Sequence, residues 1–178
     1  MAARSRLLAS LAATLVVLVA PSAGSADVHR TMSSSNQLQT ALLGQVNALR
    51  AANGLGRLRL STALSAAAGR HSTEMARRGY FSHDSANGAS FSSRIEQFYP
   101  LRGFHSWTVG ENLLWASPDV GALRALKLWL ASPPHRANLL SPRWREIGLA
   151  AVHSTSAPGV YGGRPATVVT ADFGARTR

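Results

Sequence analysis

Thr167-Val168-Val169-Thr170-Ala171-Asp172-Phe173 decides the fold, because β-branched and aromatic residues crowd a run too brief for a helix. Ile147-Gly148-Leu149-Ala150-Ala151-Val152 precedes it with the same character, and a stretch rich in Gly, Ser and Pro separates the two. Runs joined in this way predict a hairpin with a long loop. Upstream the period becomes helical. Leu38, Leu42, Val46 and Leu49 predict a first helix over residues 37–52, which Asn53-Gly54 ends. Leu64, Ala68, His71 and Met75 predict a second, capped by Ser61 or Thr62 and closed by Arg77-Arg78-Gly79. Phe91, Ile95 and Phe98 give a short third. Ser117-Pro118-Asp119 opens a fourth, which carries Leu123, Leu126, Trp129 and Leu130 until Ser132-Pro133-Pro134 breaks it. Helices first and strands last, without alternation, predict an α+β fold and not a doubly wound sheet.

The composition narrows the class. The chain has 178 residues, 46% hydrophobic and 15% charged, which excludes disorder and predicts one compact domain. Its lack of cysteine excludes a disulfide scaffold, a zinc ribbon and a thiol nucleophile. Residues 1–26 read as a signal peptide: Arg4 and Arg6 precede an apolar run of 14 residues from Leu7 to Ala20, and small residues follow from Pro21 to Ala26. Residues 27–37, polar and Ser-rich, read as a flexible arm before a domain over residues 38–178. No later run is long enough to span a bilayer, so the expectation is a secreted protein, extracellular or periplasmic, with no transmembrane anchor once the leader is removed. Lys and Arg number 19 against 8 Asp and Glu. They are scattered, with no basic run or stripe, which argues against a specific nucleic-acid partner and leaves a weak attraction to anionic envelope polymers.

Three polar residues stand at the ends of elements, where functional groups gather on a rigid scaffold. His83 lies in Gly79-Tyr80-Phe81-Ser82-His83, Glu111 in Gly110-Glu111-Asn112-Leu113, and His135 follows Pro133-Pro134. Two imidazoles and a carboxylate suit either a divalent ion with an open position or a hydrogen-bonded acid–base cluster. Each also has a plainer reading: His83 with Glu111 as a structural ion pair, Glu111 as a brace for its own loop, and Arg136 and Asn138 as ties of the turn after the prolines. His71 reads as a core or cleft-wall histidine, His105 and His153 as solvated, and Asp172 as a structural strand residue. Ser72, beside His71, is no nucleophile, since neighbours on a helix point about 100° apart.

Those three segments, extended through Trp129-Leu130-Ala131-Ser132-Pro133-Pro134-His135-Arg136-Ala137-Asn138-Leu139-Leu140, Ile147-Gly148 and Asp172-Phe173-Gly174, form an ordered set. The set resembles bacterial members of the CAP superfamily, which comprises cysteine-rich secretory, antigen 5 and pathogenesis-related proteins. The resemblance covers about residues 40–174. It implies a three-layer α-β-α sandwich with a small, mainly antiparallel sheet, and a cleft lined by two His and two Glu. His83, Glu111 and His135 match three of those places. The stretch from Val120 to Arg145 holds no Asp or Glu to serve as the fourth. A metal held by the remaining trio would be closer to zinc than to calcium.

Three functions follow as expectations. The first is a secreted protein whose His/Glu/His cleft binds a divalent cation or a cell-envelope ligand without turnover. The second is an extracellular hydrolase with Glu111 as general base, alone or assisted by a metal. The third is a lipid or sterol carrier with an apolar pocket between helices. No nucleophile elbow or HExxH helix supports the second, and core packing accounts for the apolar stripes of the third.

Overall fold

A computed structural model describes the backbone of residues 23–178 and the side chains from residue 35 onward, so the leader read at residues 1–26 lies outside the described residues except for its last four, which open the first helix. In chain order the elements are α1 (Ala23–Ala52), β1 (Arg59–Leu60), α2 (Thr62–Arg78), α3 (Phe91–Glu96), β2 (Ser106–Ala116), α4 (Ala122–Ala131), α5 (Pro133–Leu139), β3 (Glu146–Ala157) and β4 (Arg164–Thr177). The strands form one sheet in the order β1-β3-β4-β2, antiparallel except for the short parallel pairing of β1 with β3.

The hairpin expected at the end of the chain is β3–β4, longer at both ends than its apolar runs. Alternation along β4 gives the sheet two buried faces. Val169, Ala171 and Phe173 join Leu114, Ile147 and Leu149 against Leu42 and Val46 of α1, Trp129 of α4 and Leu139 of α5. Ala166 and Val168 face the other way, with Leu113, onto Met75 and Ala76 of α2. Leu64 and Ala67 of α2 close over Ile95 of α3 and Tyr99 on that side. The result is the expected α-β-α sandwich.

Helix α2 follows its sequence signals. Ser61 accepts a hydrogen bond from the Leu64 N–H, and Gly79 caps the other end in left-handed geometry at φ 74°. Other boundaries differ from expectation. Residues 27–37 belong to α1 and are not a separate arm, because no proline interrupts the stretch and serines are weak helix formers, not breakers. The fourth helix starts at Ala122 behind Gly121, later than Ser117-Pro118-Asp119 suggested. Pro133 and Pro134 end α4 and also begin α5, occupying first-turn positions where a missing N–H costs nothing.

Strand β2 went unread in the sequence. It runs along one edge of the sheet, and two side chains cap its outward carbonyls: Trp129 Nε1–H donates to Leu113 at 3.1 Å and Asn138 Nδ2–H to Glu111 at 3.1 Å. A strand residue turns its N–H and C=O to the same side, so Glu111 directs both away from β4. The register sets Glu111 opposite Asp172. They form a non-hydrogen-bonded pair, the kind with the closer side chains, and this brings two carboxyl groups together beneath α2.

Candidate functional site

His83 is delivered by a pinned loop. Beyond the Gly79 cap, the Gly79 carbonyl accepts from Val160 N–H, the Tyr80 carbonyl accepts from Tyr161 hydroxyl at 2.9 Å, and Tyr80 hydroxyl donates to Glu74 at 2.7 Å. His71, fully buried, donates from Nε2 to the Ser82 carbonyl at 2.8 Å. Gly79, Tyr80 and Ser82 are thereby fixed before the chain reaches His83. Its ring then donates from Nδ1 to Glu111 Oε1 at 2.8 Å.

Arg94 of α3 is the residue that sequence reading missed. Its guanidinium forms a charge-assisted pair with Glu111 Oε2 and also donates to the His83 carbonyl at 3.0 Å and to Ser85 Oγ at 3.1 Å. One side chain therefore grips both members of the His83–Glu111 pair. Arg94 lies on a six-residue helix otherwise read only for its apolar positions.

His135 comes from the opposite face. Asn112 Nδ2 donates to the His135 carbonyl at 3.0 Å, and Asn138 Nδ2 donates to Asn112 Oδ1 at 2.9 Å, which staples α5 to the edge strand. Asn138 thus ties α5 to β2 and not the turn alone. His83 stands on the Glu111 side of β2, and the backbone of His135 is tied on the Asn112 side. The His83 charge is felt at His135. The cluster so assembled has a sealed floor and an open rim: the side chain of Glu111 has no exposure and that of Arg94 3%, whereas His83 has 51%. Glu111, expected as a ligand group or general base, does not reach solvent, because Arg94 and His83 cover both of its oxygens.

Asp172 lies fully buried beside this floor, and neither of its oxygens meets a hydrogen-bond donor among the described residues. Burial first, and the Glu111 charge second, push its carboxyl well above the usual carboxylate range. Both causes favour the protonated form of Asp172, which lessens the repulsion between the two facing carboxyl groups. The other candidates take the plainer roles. Ser72 shares a hydrogen bond with Thr170, 2.8 Å apart, and not with His71. His153 pairs with Thr167 at 3.0 Å, and His105 is exposed.

The two imidazoles are driven apart in basicity. The hydrogen bond to Glu111 raises His83 above the usual 6.5, outweighing its partial burial. Burial, and then the His83 charge, lower His135 below it. A raised histidine contributes stability that is full below its unfolded pKa and is lost as pH rises through its folded pKa. A lowered one contributes above 6.5 and loses its share as pH falls. Imidazole NMR titration is therefore expected to show His83 changing above 6.5 and His135 below it. In Glu111→Gln, His83 is expected to fall, since burial and Arg94 are then opposed only by the weaker pull of Asp84. A common midpoint for both rings in the wild type contradicts this electrostatic picture.

The trio does not fit a metal. A zinc site needs three protein lone pairs aimed at one open point, and both Glu111 oxygens are engaged while a guanidinium stands where a cation would approach. Among the described residues no group of three or more His, Cys, Asp or Glu is gathered to hold an ion. The zinc-like set of His83, Glu111 and His135 expected from sequence is thus replaced by an imidazole–carboxylate–guanidinium cluster.

The sequence profile of the Cysteine-rich secretory protein family matches residues 43–173. The Bacillus subtilis protein YkwD is 31% identical over 124 residues, which make up 70% of this chain and 46% of YkwD. A solved extracellular protein containing an SCP domain from Bacillus anthracis superposes with a TM-score of 0.64 at 25% identity, over 84% of this chain and 43% of that one. An outer surface protein of Borrelia burgdorferi gives the same TM-score at 20% identity, over 79% of this chain and 94% of its own, and shares the fold. The chain thus spans less than half the length of the two Bacillus proteins. Among the described residues no helix is long and apolar enough to cross a membrane.

Proposed function

This chain belongs to the cysteine-rich secretory protein family, and from that premise we propose that it acts outside the cytoplasm as a binding domain. Its cleft at the edge of β2, rimmed by His83 and His135, holds part of an extracellular or cell-envelope ligand without turnover. The single observation that carries this reading is the sealed Glu111–Arg94 pair beneath a half-exposed imidazole. Buried ion pairs seldom improve on apolar packing for stability, so a pair placed there reads as a device for holding the His83 ring at a fixed angle toward solvent. The extracellular and outer-surface descriptions of the relatives support the location, as does the leader read at residues 1–26.

Hydrolysis has less behind it. Glu111 is too enclosed to activate water, and Ser72 is committed to Thr170. A lipid carrier would need an apolar pocket between helices, and the apolar stripes of the helices are taken up in core packing against the sheet. The test is capture of isolated envelope glycans and peptides from an array by the full chain. Wild type is expected to retain at least one class, and His83→Ala to lose about tenfold in affinity, the usual cost of one charged hydrogen bond. Equal capture by the two proteins overturns the reading.

A further inference from the structure

We propose that the outer edge of β3 around His153 takes up an extended peptide of another protein as an added strand, with acidic side chains toward α2 and basic ones toward the loop before α4. This edge lies across the sheet from β2, so the inference goes beyond the function proposed above.

The backbone sets up the edge. The Ile147 carbonyl accepts from Ser61 N–H at 2.8 Å and the Leu149 N–H donates to Ser65 Oγ at 3.2 Å, so the odd-numbered residues of this strand turn their N–H and C=O away from β4. Strand β1 covers that side only at Glu146 and Ile147, and Ser65 covers it at Leu149. Beyond them the outward N–H and C=O of Ala151 and His153 meet no hydrogen-bond partner among the described residues. A register shift between Ser154 and Ala157 then ends the regular stretch. Folded proteins commonly cover or blunt such an edge along its length. Here the cover stops where the strand is still regular.

Two cavities flank this stretch, one on each face of the sheet, and His153 borders both. On the face of α1 and α4 a cavity of about 510 Å³ is lined by Leu38, Asp119, Gly121, Ala151 and His153. On the face of α2 a cavity of about 620 Å³ is lined by Thr73, Arg77, Val152, His153 and Ser154. Side chains of an added strand alternate between the faces, so successive residues enter the two cavities in turn. The lining selects the occupant. Donors and acceptors at strand spacing match the backbone of an extended peptide, which presents its own at the same interval. Arg77 favours an acidic side chain in the α2 cavity and Asp119 a basic one in the other. Both charges are exposed, so they set preference and encounter rate more than affinity. A second copy of the chain fits less well. Two copies joined edge to edge about a two-fold axis at His153 keep their faces, which gathers both Arg77 side chains on one face and both Asp119 side chains on the other.

The probe is the acetylated and amidated hexapeptide Glu-Lys-Glu-Lys-Glu-Lys, added to the full chain while backbone amide NMR signals and hydrogen exchange are followed. In the free chain the His153 amide is expected to exchange faster than that of Val152, which faces Val168 of β4. With the peptide the Ala151 and His153 signals are expected to move together and saturably, and the His153 amide to become protected. Residues paired directly across an antiparallel ladder share a face, so methylating the lysine amides of the peptide is expected to weaken binding about tenfold and methylating the glutamate amides to spare it; a parallel added strand reverses the two. His153→Pro removes an outward N–H that β4 does not use and is expected to lose a similar factor, with a smaller loss in His153→Ala, which keeps the amide. Where the proline variant does not fold, the methylated peptides decide. Equal binding of the two methylated peptides, or Ala151 and His153 signals indifferent to the hexapeptide, overturns the proposal. Protection of the His153 amide that rises with chain concentration alone gives the edge to a second copy and overturns it as well.

Discussion

Gly148→Ala is expected to destabilise the domain by about 3 kcal/mol or more, with loss of the folded state as the limiting outcome. Gly148 is the third residue of β3, on the face that α2 covers and opposite Asp172 in the register. A Cβ built there falls inside the van der Waals envelope of the Leu64 carbonyl carbon, the Ser65 nitrogen and the Leu64 Cβ. Two of these atoms are backbone, so no rotamer change relieves the clash. The first turn of α2 would have to lift from the sheet, breaking the Ser65 Oγ bond accepted from Leu149 N–H at 3.2 Å and loosening Leu64 from Ile95 and Tyr99. Urea denaturation checks this against Gly44→Ala, where the added methyl meets nothing within 4 Å and the helix gains about 0.5–1 kcal/mol. If Gly148→Ala unfolds within about 1 kcal/mol of wild type, α2 does not lie so close on the sheet.

The same close approach explains which parts of the fold the sequence could announce. Helix α2 carries its own cap, apolar stripe and terminal glycine, and β3 and β4 are rich in β-branched residues, so local signals suffice. Strand β2 has Trp107 and Val109 at one end and Leu113 to Trp115 at the other, but its centre is Gly110-Glu111-Asn112. That centre breaks any alternation because each residue answers to a different neighbour. Gly110 lies under Trp144, Glu111 faces Arg94, and Asn112 reaches α5. The double proline at 133–134 likewise reads as a stop because the helix it starts is held by tertiary contacts through Asn138, not by propensity.

The site was legible in part for the same reason. His83, Glu111 and His135 stand in recognisable segments, and the structure puts His83 on Glu111 and staples His135 to the adjoining residue. What no local pattern revealed is the cation. Arg94 is 11 residues beyond His83 and 17 before Glu111, and only the packing of α3 beneath the loop brings it to both. Asp172, read as a plain strand residue, became part of the cluster through strand register alone.

Arg94→Met is expected to cost about 3–5 kcal/mol, the usual penalty for stranding a buried charge by removing its partner. The methionine fills much of the space and keeps the apolar contacts of the stem, so the loss reports the guanidinium and not a cavity. Glu111, with no side-chain exposure, is then left with His83 as its one charged partner and faces Asp172 across the strand pair. The loop loses two ties at once, those to the His83 carbonyl and the Ser85 hydroxyl. Arg94→Lys is expected to recover part of the stability but not the loop, because a single ammonium on a flexible stem does not span a carboxylate and a backbone carbonyl as a planar fork does. Urea denaturation measures the first effect. Hydrogen exchange of the amides from Phe81 to Ser85 measures the second, with protection lost in both variants. The electrostatic consequence separates this from simple unfolding: Arg94 lowers the basicity of the His83 ring, so in any folded fraction of either variant its loss or displacement moves the His83 titration further upward. If Arg94→Met is as stable as wild type and His83 titrates unchanged, the guanidinium does not hold this site together.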